Sequence, residues 1–302
     1  MRLIEQGGIG NGEPGTALAL GYFDGIHIGH AKVIETAGKY AKAHGLHLAV
    51  FTFERADGAE GKARRLLTPK QKHAVLESLG VEFCFEPSFS SFRDLSPRMF
   101  FTEKVLKEYA AKSLFCGENF GFGARRAGNT QTLKEFCAEF GLQLSVLPLA
   151  MWEGEPVSSS RIRNALAEGE IEAVNAMLGR PYEILFPVER GKGFGHRHGF
   201  PTINQKYPES MQAPRYGVYI TSTFVGGEWR PSATGYGTRP TVQGQDASCE
   251  TFIPSYEGDL YGQEVAVRFY KRIAQVSKFS SAQELASAVQ RWARQAETFF
   301  SS

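Results

Sequence analysis

The sequence predicts a Rossmann-like α/β domain with a parallel sheet, followed by an all-β barrel that ends in a C-terminal helix. From residue 16 to about 147, short apolar runs alternate with helical patterns, which is typical of βαβ units. From about residue 182 to 272, β-type runs are separated by turn residues with no helical pattern between them. We therefore predict two domains, at residues 1–180 and 181–302.

The predicted helices are marked by residues at their ends. The first runs from about His30 to Gly45, where glycine supplies a left-handed C-cap. Thr68-Pro69 is an N-cap followed by proline at the first helical position, and Ser96-Pro97 repeats this pattern. Five strand candidates alternate with these helices, and the first is TALALG at residues 16–21. The last helix begins near Ser281, and its apolar spacing predicts that Trp292 packs in the core.

Composition and charge exclude several classes of protein. The formal net charge is +2, which provides no broad basic field for nucleic acid, and we interpret Arg64-Arg65 and Arg125-Arg126 as solvated loop charge. The segment MRLIEQGGIG has no apolar run long enough for a signal peptide, and we find no run of about 18 apolar residues that could span a bilayer. The four cysteines lack metal-binding spacing and fit a reduced compartment. We expect a cytoplasmic protein with small-molecule partners and without nucleic acid or membrane partners.

Two segments compete as the phosphate-binding motif. GNGEPG at residues 10–15 matches GxGxxG by letter, but it precedes the first predicted strand, whereas a dinucleotide motif follows a strand and opens a helix. GYFDGIHIGH at residues 21–30 lies at that position, where backbone N–H groups and the helix dipole favour an anion. His27 and His30 are three residues apart, so both imidazoles can face one bound group. Metal ligation or helix capping is the alternative for them. Three glycines allow close approach to a ligand: Gly21, Gly25 and Gly29.

This segment resembles the HxGH nucleotidylyltransferase superfamily. The FDG before the histidines narrows the resemblance to the bacterial bifunctional riboflavin kinase/FAD synthetase family. The resemblance implies that the first domain transfers AMP from ATP to FMN and releases pyrophosphate. It also implies that His27 and His30 stabilise charge on the phosphates without forming covalent intermediates, and that Phe23 and Asp24 belong to the nucleotide-binding segment.

Other segments of the first half also resemble this family. VSSSRIRNAL at residues 157–166 is similar to its ISSTxIR motif, in which serines at a helix N-terminus and the following Arg163 hold triphosphate oxygens. Serine is also an ordinary N-cap. The loop at residues 117–130 is similar to GxxFxFG, which makes Asn119 a candidate phosphate contact. The family's FxPHP segment appears as FERADG, which keeps Glu54 and lacks the histidine and both prolines. The serines concerned are Ser158, Ser159 and Ser160.

The second half resembles a riboflavin kinase. GFPTIN at residues 199–204 is similar to the GFPTAN signature, which implies a six-stranded barrel in which Thr202 and Asn204 hold Mg²⁺ and nucleotide phosphate. Oxygen ligands suit this hard cation. We also expect Gly195, in the preceding loop, to bind nucleotide. CETFIP is similar to the segment with the general base, so Glu250 would take the proton of the ribityl 5′-hydroxyl as it attacks the γ-phosphate of ATP.

The barrel half departs from the family pattern in two places. GRxLGFPT appears with His196 and His198 in place of arginine and leucine, and IRxE appears with Ala274 and Val276. A lost arginine removes a charge-assisted phosphate contact. The main hypothesis is a Mg²⁺-dependent enzyme that makes FMN from riboflavin and FAD from FMN, with ATP as co-substrate. The alternatives are an FAD synthetase whose barrel binds flavin or nucleotide without turnover, and a non-catalytic sensor.

Overall fold

The chain forms two compact units. A computed structural model describes residues 1–9, 12–53, 64–191, 195, 198–241, 244–276 and 279–301. One unit contains Met1–Ala63 and Leu67–Ser159, and the other contains Arg64–Leu66 and Ser160–Ser302. The functional boundary that we predict after residue 180 stays a prediction. None of the helices in these residues combines the length and hydropathy needed to cross a membrane.

The first unit is built on a parallel sheet of six strands within the described residues. In spatial order these are β1, β4, β3, β2, β5 and β8, and every pairing among them is parallel. The strands of this unit are β1 (Arg2–Ile4), β2 (Thr16–Leu20), β3 (His47–Phe51), β4 (Phe83–Phe85), β5 (Ala111–Gly117), β6 (Gly121–Phe122), β7 (Gly128–Asn129), β8 (Gln143–Leu147), β9 (Met151–Trp152) and β10 (Glu155–Pro156). The helices are α1 (Ile28–His44), α2 (Pro69–Ser78), α3 (Pro97–Met99), which continues as a π-helix (Phe100–Glu108), and α4 (Thr130–Phe140).

Strand β2 lies in the middle of this sheet and is buried on both faces. Its alternate residues enter two apolar clusters, Leu18 with Phe100 on one face and Ala19 with Ile34 of α1 on the other. This is the layered arrangement expected when helices cover both faces of a parallel sheet. The carboxyl end of β2 is therefore held rigidly.

The local signals at the helix ends are confirmed, whereas the strand count was wrong. Gly45 caps α1 in the left-handed region, with φ of 65°, and Thr68 forms a capping box with Gln71 at the start of α2. The prediction that TALALG is the first of five strands missed β1, which pairs in parallel with β4 through Leu3 and Cys84. A three-residue edge strand depends on its partner, so its own sequence gives little sign of it.

The second unit is an antiparallel sheet of six strands among the described residues. Its strands follow the spatial order β11, β16, β13, β14, β15 and β12, and a bridge between Glu189 and Asn204 joins the two ends of that order. The elements are α5 (Ser159–Glu168), which starts at the last residue of the first unit, α6 (Ile171–Leu178), β11 (Tyr182–Pro187), β12 (Thr202–Lys206), β13 (Gly217–Val225), β14 (Glu228–Thr241), β15 (Gly244–Phe252), β16 (Glu264–Ala274) and α7 (Ala282–Ser301). The predicted barrel with a C-terminal helix is confirmed.

Helix α7 packs on the barrel through its small apolar face. Val289 and Ala293 lie in a buried cluster with Phe200 and Phe252, and Trp292 is partly buried against that cluster. The prediction that Trp292 belongs to the core is confirmed. The four cysteines are all buried and free.

Candidate active sites

The first candidate site is the turn that joins β2 to α1. Phe23, Gly25 and Ile26 have φ values of 50°, 83° and 44°, so three residues of this turn are left-handed. Left-handed backbone is rare for Phe and Ile, and such strain accumulates at functional sites. The turn places the Phe23 side chain in the buried cluster that contains Ala19 of β2 and Ile34 of α1.

Gly21 is required by the fold of this turn. A Cβ atom at Gly21 would lie 2.8 Å from the ring of Phe23, which is closer than van der Waals contact allows. The Phe23 ring is buried and meets the His30 ring edge to face, with centroids 5.1 Å apart. The phenylalanine therefore acts as a wall that holds one histidine in place.

The two predicted histidines lie together. His27 is the N-cap of α1, and its Nδ1 accepts a hydrogen bond from the backbone N–H of His30 at 3.3 Å. The two rings stack with centroids 3.7 Å apart and planes 16° apart. The helix-capping alternative thus holds for His27 in addition to any role at phosphate. Both stacked rings lie at the N-terminus of α1, where they can contact the same anion.

Electrostatics keep His30 uncharged in the free site. Burial lowers the pKa of His30 well below its usual range, and the neighbouring His27 lowers it further. His30 Nδ1 is buried without a hydrogen-bond partner among the described residues. A polyphosphate beside this ring would raise its pKa and favour a proton on it. The pair can therefore place positive charge where negative charge accumulates.

The serine segment is tied directly to the histidine turn. Ser159 Oγ donates a hydrogen bond to the backbone oxygen of Asp24 at 2.7 Å, although the two residues are 135 positions apart. Ser158 lies just before α5. In the second unit, Ser160 is exposed, and Arg163 Nε donates to the backbone oxygen of Arg64 at 2.6 Å. Two segments that were predicted separately thus contact each other at Ser159.

The Asn119 loop follows the strand beside β2. Leu20 pairs with Cys116, so the loop after β5 starts next to the histidine turn. Arg126 donates from Nη2 to the Asn119 backbone oxygen at 3.2 Å and covers Gly121. Arg125 and Arg126 are both exposed, so the interpretation as solvated loop charge is confirmed, and Arg126 in addition contacts the backbone of its own loop.

The second candidate site is a cavity of about 900 Å³ at the barrel. It brings together four predicted residues from three segments: Gly195, Thr202, Asn204 and Glu250. It also contains residues for which the sequence predicted no catalytic or binding role, among them Gly191, Tyr256, Asp259, Tyr261 and Leu285. The signal that could have identified Tyr256 and Tyr261 is the segment YEGDLYGQ at residues 256–263, which follows Glu250 along the chain.

Strand register fixes the geometry of this cavity. Asn204 on β12 is directly opposite Glu250 on β15, and Thr202 is two residues before Asn204, on the same face of its strand. Asn204 Oδ1 is buried without a hydrogen-bond partner among the described residues, while Nδ2 donates to the Thr202 backbone oxygen at 3.3 Å. Such an oxygen fits a hard cation, which prefers oxygen ligands.

Among the described residues, the departures from the family pattern are His198, Ala274 and Val276, and none of them lines this cavity. His198 donates from its backbone N–H to the oxygen of Gly195 at 3.1 Å, which shapes the turn before Phe200. Ala274 is the last residue of β16, and Val276 is 61% exposed. His196 lies outside the described residues, as do Glu54 and the first two residues of GNGEPG, Gly10 and Asn11.

A buried ionic cluster in the first unit was not predicted from the sequence. Glu86 is buried, and one of its carboxylate oxygens lies 2.5 Å from His73 Nε2 while the other contacts the Lys72 ammonium. Cys84 lies close enough to share a metal ion with His73 and Glu86. Because Lys72 already neutralises this carboxylate, the cluster is satisfied as a structural ion network.

Comparison with known proteins identifies the family. A family model described as FAD synthetase matches residues 11–161, and one described as riboflavin kinase matches residues 178–300. A bifunctional riboflavin kinase/FMN adenylyltransferase from Bacillus subtilis is 31% identical over 95% of this chain and 93% of its own length. This chain belongs to that family. The Escherichia coli K12 relative of the same name is 29% identical over 95% of this chain and 94% of its own length.

A solved structure supports the same fold. The crystal structure of a Streptococcus pneumoniae protein described as a macrolide-efflux protein has a TM-score of 0.85 to this chain. The two chains are 26% identical, and the match covers 98% of each. The family assignment comes from the two family models and the curated relatives, and efflux is a description of the Streptococcus protein alone.

Proposed function

We propose that this chain makes FMN and FAD at two separate sites, with riboflavin, FMN and ATP as substrates. Its relatives are named for both activities, and each family model matches one half of the chain. The observation that carries the kinase assignment is the cavity in which Thr202 and Asn204 of β12 meet Glu250 of β15.

In the kinase reaction, Glu250 accepts the proton of the ribityl 5′-hydroxyl while that oxygen attacks the γ-phosphorus of ATP. The products are FMN and ADP. The pairing of Asn204 with Glu250 across β12 and β15 supports this assignment, because it puts a phosphate or metal ligand beside the base. Gly195 belongs to the wall of the same cavity.

Mg²⁺ is the proposed metal for this site. Thr202 and Asn204 would hold it, and the unpartnered, buried Asn204 Oδ1 supports that role. When bound, the ion neutralises charge on the phosphates of ATP.

In the adenylyl transfer, an oxygen of the FMN phosphate attacks the α-phosphorus of ATP, and pyrophosphate leaves. The stacked His27 and His30 stabilise the charge on the phosphates, and the low pKa of His30 supports this role because an arriving polyanion favours its protonation. The proposed nucleotide contacts are Gly21, Phe23, Asp24, Gly25, Gly29, Asn119, Ser158, Ser159, Ser160 and Arg163. A cytoplasmic location stays a prediction from the sequence.

Product analysis tests this proposal. The protein is incubated with ATP and Mg²⁺ and with either riboflavin or FMN, and the flavins are separated by chromatography. We expect FMN and FAD from riboflavin, and no product of either kind when EDTA is added. FAD from supplied FMN alone would reduce the barrel to a binding domain, and no product at all would leave a flavin or nucleotide sensor.

A further inference from the structure

A glycine in the wall of the kinase cavity lies directly against the Asn204 side chain. We propose that Gly191 is a positioning residue: it leaves the space that the Asn204 amide occupies, and it thereby fixes where Oδ1 meets the metal and phosphate. This inference rests on the proposed kinase function. Gly191 itself contacts neither substrate nor metal in this proposal.

The contact is closer than any other side chain at position 191 would permit. A Cβ atom there would lie 2.5 Å from Asn204 Nδ2, 2.9 Å from Cγ and 3.2 Å from Oδ1. Carbon atoms in favourable contact are about 3.5–4.0 Å apart. The approach is fixed by the backbone, since Glu189 N–H donates to the Asn204 backbone oxygen at 2.8 Å only two residues earlier.

The backbone conformation does not require glycine here. The φ angle of Gly191 lies outside the left-handed region, unlike that of Gly199, which is 79°. Among the described residues, the three atoms nearest to a Cβ at position 191 all belong to Asn204. The absence of a side chain at position 191 is therefore explained by the Asn204 amide.

An alanine at this position would move the amide and leave the strand in place. The clashing atoms are at the end of a side chain that can rotate about its own bonds, whereas the β12 backbone is paired with β15 and bridged to Glu189. Rotation would break the hydrogen bond from Nδ2 to the Thr202 oxygen and move Oδ1. A displacement of about 1 Å costs roughly 100-fold in rate at a positioned group.

A double-mutant cycle tests whether Gly191 acts through Asn204. We expect Gly191→Ala to lower kcat/KM for riboflavin phosphorylation about 10- to 100-fold and to raise the Mg²⁺ concentration required for half-maximal rate. In the Asn204→Ala background, Gly191→Ala should change the rate by less than about 2-fold, because the clashing amide is gone. Gly237→Ala is the control, since among the described residues its Cβ would meet Val276 Cγ2 alone, at 3.6 Å. Equal losses in both backgrounds would overturn the proposal.

A spectroscopic measurement tests the same contact without turnover. The chain has six asparagines, so selective ¹⁵N-asparagine labelling gives six pairs of side-chain amide signals, and Asn204→Ala identifies the pair of interest. We expect Gly191→Ala to shift this signal in the ligand-free protein and to weaken its response to Mg²⁺ and ADP. An unchanged Asn204 signal would overturn the proposal. The measurement does not depend on turnover. If the wild type makes no FMN, the proposed function is wrong, and the Asn204 signal still shows whether Gly191 positions the Asn204 amide.

Discussion

Replacing Glu250 with glutamine separates chemistry from folding at the barrel site. Strand β15 is paired on both sides, through Asn204 of β12 and Gly235 of β14, so the backbone at position 250 is held independently of the side chain. Glutamine keeps the size and polarity of glutamate but cannot take the hydroxyl proton. A positioned base contributes about 10²- to 10⁴-fold, which is about 2.7 to 5.4 kcal/mol of barrier at 1.36 kcal/mol per decade.

The assay follows initial rates of FMN formation from riboflavin at saturating ATP and Mg²⁺, with FAD formation from supplied FMN in parallel. We expect Glu250→Gln to lose the first rate by that factor and to keep the second, because the histidine turn belongs to the other unit. Glu264→Gln, an exposed strand position on β16, is the matched control. If Glu250→Gln makes FMN within about 3-fold of the wild-type rate, the base assignment is wrong.

Three further predictions concern histidines of the first unit. His27→Ala should lower FAD formation about 10²- to 10³-fold while FMN formation persists, as chromatography of the flavins would show. The hydrogen bond to Glu82 raises the pKa of His47, although the partial burial of His47 opposes this shift. The protonated His47 therefore stabilises the fold fully below about pH 6.5, and this stabilisation is lost as the pH rises through the raised pKa. Melting temperatures from pH 5.5 to 9 should therefore fall less steeply on the alkaline side in His47→Gln. Burial lowers the pKa of His30, so below about pH 6.5 the folded protein binds fewer protons than the unfolded chain and its free energy of unfolding falls. In His30→Asn, urea unfolding should show a smaller decrease in this free energy as the pH is lowered.

The helix ends could be predicted from the sequence because their signals are local. Gly45 must adopt a left-handed conformation to end α1, and Thr68 and Gln71 satisfy each other's backbone at the start of α2. Both interactions involve residues within a few positions, so letters alone reveal them. Strand β1 exists only by pairing with β4, about 80 positions away, and no local pattern specifies it.

The sequence of strand β14 gives little sign of a buried strand, for a different reason. Its inward side chains include Ser232 and Thr234, whose hydroxyls bond to Thr221 at 2.8 Å inside the barrel. Apolar alternation predicts a strand only when the buried face is apolar. Here the buried hydroxyls form hydrogen bonds with one another across the strands. The strand therefore has polar residues at buried positions, and apolar alternation does not reveal it.

The sequence predicted which residues belong to the candidate sites, but their geometry is visible only in the structure. The resemblance to the family indicated Asn204 and Glu250, which are 46 positions apart, but only strand register puts them opposite each other. The role proposed for Gly191 had no signal in the sequence, because a glycine in a glycine-rich loop predicts a turn. Its reason is a tertiary contact with Asn204.

Unsatisfied buried atoms give a physical reason to expect ligands at both sites. His30 Nδ1 and Asn204 Oδ1 are both buried without a hydrogen-bond partner among the described residues. Each such atom costs about 1–3 kcal/mol in the folded protein, and left-handed Phe23 and Ile26 add strain of about 1–2 kcal/mol each. Stability alone would favour an apolar side chain at either position and a relaxed turn before α1. A phosphate or a cation that forms the missing interactions with these atoms recovers part of that free energy on binding. The sites therefore favour such ligands over apolar ones.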